Sequence, residues 1–215
     1  MNINHYFTSP IAFARNEELL PDLKKYIYKQ KIQGIESDCA AQLKKNLVES
    51  KFDLFNKEDD IIFKTKDFIG ESLANLISEL HAETCPYDIT FIDSWYHIGK
   101  RNSVHELHSH PNCSWCGVYY IQSGDEGSGE TTFTNPVSSN YLDDGNRWFD
   151  WQLETKIPPQ DGLLVLFPSY LRHYQSLYIG RKDRIVVAFN AQIWRGLINK
   201  PKYGIQKTAA GVAHT

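Results

Sequence analysis

No stretch of this 215-residue chain approaches the ~18 consecutive apolar residues of a membrane-crossing helix, so no such span is expected. The opening segment, MNINHYFTSPIAFARNEELL, lacks a basic start followed by an apolar run. No signal peptide is therefore expected, and the cytosol is the expected compartment. Positive charge is not in excess: 23 Lys and Arg stand against 26 Asp and Glu, giving −3. That balance excludes a broad electrostatic footprint for nucleic acid. Lysines gather at Lys24, Lys25, Lys29 and Lys31 and again at Lys44 and Lys45, but among apolar residues at helical spacing, which reads as a solvated helix face. Cysteine is scarce. Cys39, Cys85, Cys113 and Cys116 read as thiols in that compartment, not as a disulfide framework. No internal repeat or low-complexity segment is present.

What remains is an ordinary soluble composition, 41% hydrophobic and 23% charged, long enough to bury a core without cross-links. Aromatics reach 13% and tilt the reading toward sheet. Residues 5–13 (HYFTSPIAF) alternate around a Pro and suggest an edge strand. Residues 16–32 carry apolar side chains at helical spacing, with Pro21 as the start of the helix or a kink. A second helix is expected over 38–49. The clearest helix is 67–84, with Phe68, Ile69, Leu73, Leu76, Ile77 and Leu80 on its buried face and Asp67 as N-cap, ended by Cys85–Pro86.

After residue 86 the pattern changes. DITFIDSWYHIG, WCGVYYIQ, TTFTN, FDWQLETKI, GLLVLFP and RIVVAFNAQIW read as short strands. Turns fall between them at 99–102 and in SGDEGSG, with a polar loop over 136–147. The layout predicts a mainly β protein, a jelly roll with N-terminal helices packed on one face.

Five of the eight histidines lie between residues 97 and 173, three of them in HELHSH. On an extended segment alternate side chains share a face, so His108 and His110 can meet one metal. His173 follows the apolar strand LLVLF and the turn PSY, and a jelly roll brings distant strands together. Imidazole suits Fe, Zn, Cu and Ni alike, and an isolated HxH is equally a surface pair. Arg184 opens the strand RIVVAFN. An Arg on an apolar strand is costly unless it meets an anion, and its planar fork suits a carboxylate. The plain alternative is a structural ion pair or an exposed strand end.

From Ser94 to Asn190 the chain resembles the 2-oxoglutarate- and Fe(II)-dependent oxygenase superfamily, most closely a group of small bacterial and phage members. The stretches that carry the resemblance are SWYHIG, HELHSHPN, CGVYYIQ, GETTF, GLLVLFPSYLRH and RIVVAFN, in that order; GETTF is also similar to the equivalent strand of prolyl 4-hydroxylases. The resemblance implies a double-stranded β-helix with iron at its mouth. It implies His108 as the first ligand, His173 as the distal ligand, and Arg184 as the partner of the C5 carboxylate of 2-oxoglutarate. Tyr120 matches the position of a second partner for that carboxylate; it shares a face with Val118, while Tyr119 points the other way. The superfamily usually has Asp or Glu where this chain has His110, so the third ligand is His110 or, alternatively, Glu106. His105 reads as a neighbour of the ligands or a substrate contact.

The implied activity is a dioxygenase consuming O2 and 2-oxoglutarate, releasing succinate and CO2, and hydroxylating a small molecule or peptide. The implied organisation is one oxygenase domain over 1–198. Its helical support lies mainly in 16–84 and its jelly-roll core in about 87–194, with a C-terminal tail over 199–215. Rival readings are a zinc site built from HSHPNCSWC through Cys113 and Cys116, and a cupin-like metal protein that does not use 2-oxoglutarate. The cupin reading is weakened by the absence of Glu in 111–116 and by the long gap between Gly162 and His173. Trp95, Trp115, Trp148 and Trp151 are core or pocket residues, and the loop 136–150 is placed to act as a lid. No nucleic-acid or membrane partner is expected; an edge strand and an apolar helix face are compatible with a homodimer.

Overall fold

The computed structural model describes residues 8–32, 44–80, 87–136 and 153–195. In chain order these form β1 (Ala12–Arg15), α1 (Leu20–Ile32), β2 (Lys44–Glu49), a 3-10 turn (Leu54–Asn56) and α2 (Asp60–Leu80). There follow β3 (Tyr87–His108), β4 (Trp115–Gln122), β5 (Thr131–Thr134), β6 (Glu154–Ile157), β7 (Leu163–Pro168), β8 (His173–Tyr178) and β9 (Arg184–Arg195). The strands make one antiparallel sheet in the order β1-β7-β4-β9-β3-β8-β5-β6, with β2 paired to β3. The sheet curls into a jelly roll with helices on one face, the mainly β architecture expected from the sequence.

The period-2 alternation of strands divides the side chains between two cores. On β4, Trp115, Tyr119 and Ile121 join the core under the helices, while Cys116 and Tyr120 join a second cluster inside the curl. On β7, Leu164 and Leu166 face the helices and Val165 and Phe167 face inward. On β9, Ile185, Val187, Phe189 and Ala191 pack outward. Arg184, Val186, Ala188 and Asn190 therefore share the inward face. Gly117 lies on the helix side because Phe189 lies over it: a Cβ there would fall 2.4 Å from the Phe189 ring. The outer core is closed by Ile62, Ile69, Leu73 and Ile77 of α2 and by Leu23 and Ile27 of α1, while Lys25 and Lys29 are exposed.

Several expectations are corrected. The helix expected over 38–49 is a strand from Lys44 onward; residues 38–43 lie outside the described residues. Leu47 and Val48 sit at helical spacing from other apolar residues, but pairing with Gly99 and Ile98 of β3 decides their conformation. The edge strand begins only at Ala12, after Pro10. The helix expected from Asp67 begins seven residues earlier at Asp60. The cap is Asp59, whose carboxylate accepts from the Ile61 N–H at 3.1 Å, so Asp67 is mid-helix. Leu80, assigned to the buried face, is 45% exposed. The turn expected at 99–102 does not interrupt β3. The strand runs through it with Asn102 at φ 65° and with register shifts against β8 between Ser103 and His108. HYQSLY was not expected as a strand; it is β8. The Cys85–Pro86 stop, Trp148, Trp151, most of the 136–150 loop and the 199–215 tail lie outside the described residues.

Filling the Gly117 position should therefore be costly. Gly117→Ala is expected to lower the unfolding free energy by about 1–3 kcal/mol through overpacking, read as a shifted midpoint in chemical denaturation. An unchanged midpoint would mean that Phe189 swings aside freely.

Candidate metal and oxo-acid site

β3 and β8 run antiparallel with His108 paired to His173, so the end of one strand faces the start of the other. His108 is the last residue of β3. His110 lies just beyond the strand, before the turn at Pro111 and Asn112 (φ 61°), and its N–H donates to the Ser169 carbonyl at 3.2 Å. The two rings come together as expected of HxH, with the chain turning only after His110. One potential ligand atom from each of His108, His110 and His173 lies within 4.8 Å of the others. Glu106 is exposed, and its carboxylate is not part of that group.

The local backbone orients two of these rings. The His108 Nδ1 donates to the Glu106 carbonyl at 2.7 Å, and the His173 Nδ1 donates to the Leu171 carbonyl at 3.0 Å. A carbonyl can only accept, so each Nδ1 carries the hydrogen and each Nε2 presents its lone pair when the ring is neutral. The His173 Nε2 lies 3.3 Å from the His110 Nε2. Phe167 packs edge-on against the His173 ring, with centroids 4.6 Å apart, and holds it away from water. Burial pushes the His173 pKa down to about 3; the neighbouring His108 adds to the shift and the Leu171 carbonyl opposes it. Three converging imidazole nitrogens, one kept neutral by burial, are a donor set that fits Fe(II).

The site opens into a cavity lined among others by Trp95, His97, His105, Val118, Phe167 and Arg184. His105 stacks on His108 with centroids 4.0 Å apart and meets His97 edge-on at 5.5 Å. His97 is buried beside Glu49 of β2, Nε2 to Oε2 2.5 Å, and takes the Trp95 indole N–H at 3.1 Å.

Deeper in the cavity is Arg184, 2% exposed. The faces of β9 explain its inward aim. Its Cζ lies 5.1 Å from the centroid of the Tyr120 ring, and the Tyr120 hydroxyl bonds Thr131 at 2.6 Å. Burial pushes the arginine pKa down while Tyr120, Tyr178 and Glu130 support the charge; a guanidinium stays protonated throughout. Among the described residues it forms no ion pair with a carboxylate, and its Nε has no hydrogen-bond partner. A buried cation with an orphaned donor fits an anionic ligand group.

Cys113 and Cys116 face each other, Sγ to Sγ 3.6 Å, and Cys116 also donates to Asn190 at 3.4 Å. The Cys116 contact holds the Cys113 thiol below its usual pKa, and burial pushes Cys116 up. The two thiols are not in the histidine group. Sequence reasoning missed Gln175, Ser103 and Glu49, all buried around the cavity. The alternation His173-x-Gln175 could have flagged the first; Glu49 carried no signal, because its segment reads as helix.

Residues 93–190 match the family described as "Putative 2OG-Fe(II) oxygenase". No curated protein matches the sequence. Among solved structures, a Pseudomonas putida prolyl-4-hydroxylase superposes with TM-score 0.60 at 13% identity, over 88% of this chain and 95% of that one. HygX from Streptomyces hygroscopicus, solved with nickel and 2-oxoglutarate bound, superposes with TM-score 0.58 at 10% identity, over 86% and 83%. A viral collagen prolyl hydroxylase from Paramecium Bursaria Chlorella virus-1, a 2OG complex, gives 0.51 at 16%, over 83% and 94%. At these identities the structures show the shared fold. The family likeness is carried by residues 93–190, somewhat less than half of the 215-residue chain. Among the described residues no helix is long and apolar enough to cross a membrane.

The His173 shift makes a pH prediction. Its folded pKa, about 3, lies below its ordinary 6.5, so between those values the unfolded chain binds more protons. Stability is then fully present above about pH 6.5 and lost as pH falls toward 3. Denaturation of the metal-free protein across this window should show a dependence steeper by up to about one proton than that of His173→Phe. Equal slopes would mean that the ring is not buried in its neutral form.

Proposed function

We propose that this protein is a non-haem Fe(II)- and 2-oxoglutarate-dependent dioxygenase that hydroxylates a small molecule or a peptide side chain. The observation that carries the proposal is the convergence of His108, His110 and His173 in one cavity with a buried Arg184 that forms no ion pair among the described residues. In this reading the three histidines hold Fe(II), with His110 in preference to the exposed Glu106. Arg184 and Tyr120 receive the C5 carboxylate of 2-oxoglutarate. When bound, the metal and cosubstrate supply the oxidative chemistry, in which O2 and 2-oxoglutarate are consumed and succinate and CO2 released.

The chain's own residues position the reactants. The carbonyls of Glu106 and Leu171 fix two ring orientations before metal arrives. Phe167 and Phe133 pack against the buried histidine ring and keep water from it. Arg184 sets the direction of the dicarboxylic acid through charge-assisted hydrogen bonds. His105 and Trp95, on the open side of the histidines, are placed to meet substrate. Fold likeness does not name that substrate.

Anaerobic titration of metal-free protein with Fe(II) and then 2-oxoglutarate should produce a visible charge-transfer band that His173→Ala lacks. Arg184→Ala should raise the Kd for 2-oxoglutarate by about 10- to 100-fold, the loss of a charge-assisted pair, with the Fe(II) affinity nearly unchanged. Iron binding without a band would favour the cupin-like reading. Equal losses of iron and 2-oxoglutarate affinity in Arg184→Ala would remove Arg184 from its assigned role.

A further inference from the structure

Gln175 sits two residues after His173 on β8 and so shares its inward face. It is 8% exposed, and both ends of its amide are engaged. Its Oε1 accepts from the Arg184 Nη1 at 2.9 Å. Its Nε2 donates to the Ser103 carbonyl and hydroxyl oxygens, each at 3.2 Å. The amide has one workable orientation. Reversed, it would set its oxygen against the Ser103 carbonyl and its NH2 against the guanidinium. Ser103 is fully buried and lies where β3 shifts register against β8, so the anchor belongs to the sheet and not to a loop.

The guanidinium is confined on its other sides as well. The Tyr120 ring covers one face at 5.1 Å. Gly129, at φ 76°, leaves room for the arginine stem: a Cβ there would lie 3.1 Å from the Arg184 Cδ and 3.2 Å from its Nε. With Nη1 taken by Gln175, the Nε of the fork is left without a partner among the described residues. A neutral acceptor at residue 175 fixes the fork without neutralising it. A carboxylate there would reach the same atom and consume the charge that a ligand needs.

We infer that Gln175 is a positioning residue for the distal carboxylate of the 2-oxo acid: it holds Arg184 by Nη1 and turns the Nε edge toward the ligand. This rests on the proposed 2-oxoglutarate-dependent function. It assigns to β8 a second role two residues from its histidine, so that one strand sets both the metal end and the carboxylate end of the cosubstrate.

The test uses the Fe(II)-loaded full chain, with Kd read from the charge-transfer band for 2-oxoglutarate and for 2-oxobutyrate, a 2-oxo acid without a distal carboxylate. Gln175→Glu is expected to weaken 2-oxoglutarate at least about tenfold, one power of ten in affinity, and to leave 2-oxobutyrate and Fe(II) within about threefold. Gln175→Met, of similar length and without the acceptor, should weaken 2-oxoglutarate by a smaller factor with the same selectivity, and it serves if the Glu variant does not fold. Equal weakening of both oxo acids would reduce Gln175 to a packing residue and overturn the inference. So would a Gln175→Glu protein that binds 2-oxoglutarate as the parent does. If the parent binds Fe(II) and neither oxo acid, the oxygenase reading itself fails, a result separate from either of those.

Discussion

The arrangement of the site depends on a guanidinium enclosed in a curled sheet. Taking such a charge out of water costs several kcal/mol even after relaxation, and β9 is otherwise apolar where it faces inward at Val186 and Ala188. What makes Arg184 tolerable is a set of weak compensations: an aromatic face, a neutral amide oxygen and, farther off, the Glu130 carboxylate. None cancels the charge. The protein therefore carries a standing electrostatic demand in its cavity, and that demand selects an anionic group of the ligand over a neutral one. Register enforces it: a slip of one residue on β9 would drive Arg184 into the helix-covered core and Ile185 into the cavity.

The histidines solve a different problem by local means. At both His108 and His173 the ring turns back on the carbonyl two residues upstream, so the tautomer is set by backbone geometry without a carboxylate. The orientation is thus built into the strand ends. The aromatic packing around His173 then adds what a backbone cannot, a dry surrounding that excludes the competing proton.

Much of this was legible in the sequence where the hydrophobic pattern was unambiguous. WCGVYYIQ, GLLVLFP and RIVVAFN alternate or run apolar, and each became a strand; the two faces of Tyr119 and Tyr120 and the inward aim of Arg184 follow from that period. The failures have physical causes. Residues 44–49 carry apolar side chains that suit a helix, yet the free edge of β3 recruits them by main-chain pairing, which leaves no pattern in one sequence. HYQSLY is too polar to look like a strand because its inward residues serve a polar cavity. Asp59 and Asp67 are both reasonable caps by residue type, and only the packing of Ile61 and Ile62 decides between them.

The pairing of β2 along β3 has a consequence for what counts as the unit of this protein. The recognisable family segment starts at residue 93, but His97 inside it is buried against Glu49, which lies outside it. Tyr119 likewise donates to the Asn16 carbonyl at 2.6 Å, and Ala12–Arg15 covers the rim of β7. The stretch that carries the recognisable chemistry is therefore not self-sufficient as matter. Its inner polar network is completed by chain that the family match does not reach, so the likeness is read from residues 93–190 while the packing that holds them belongs to a longer stretch.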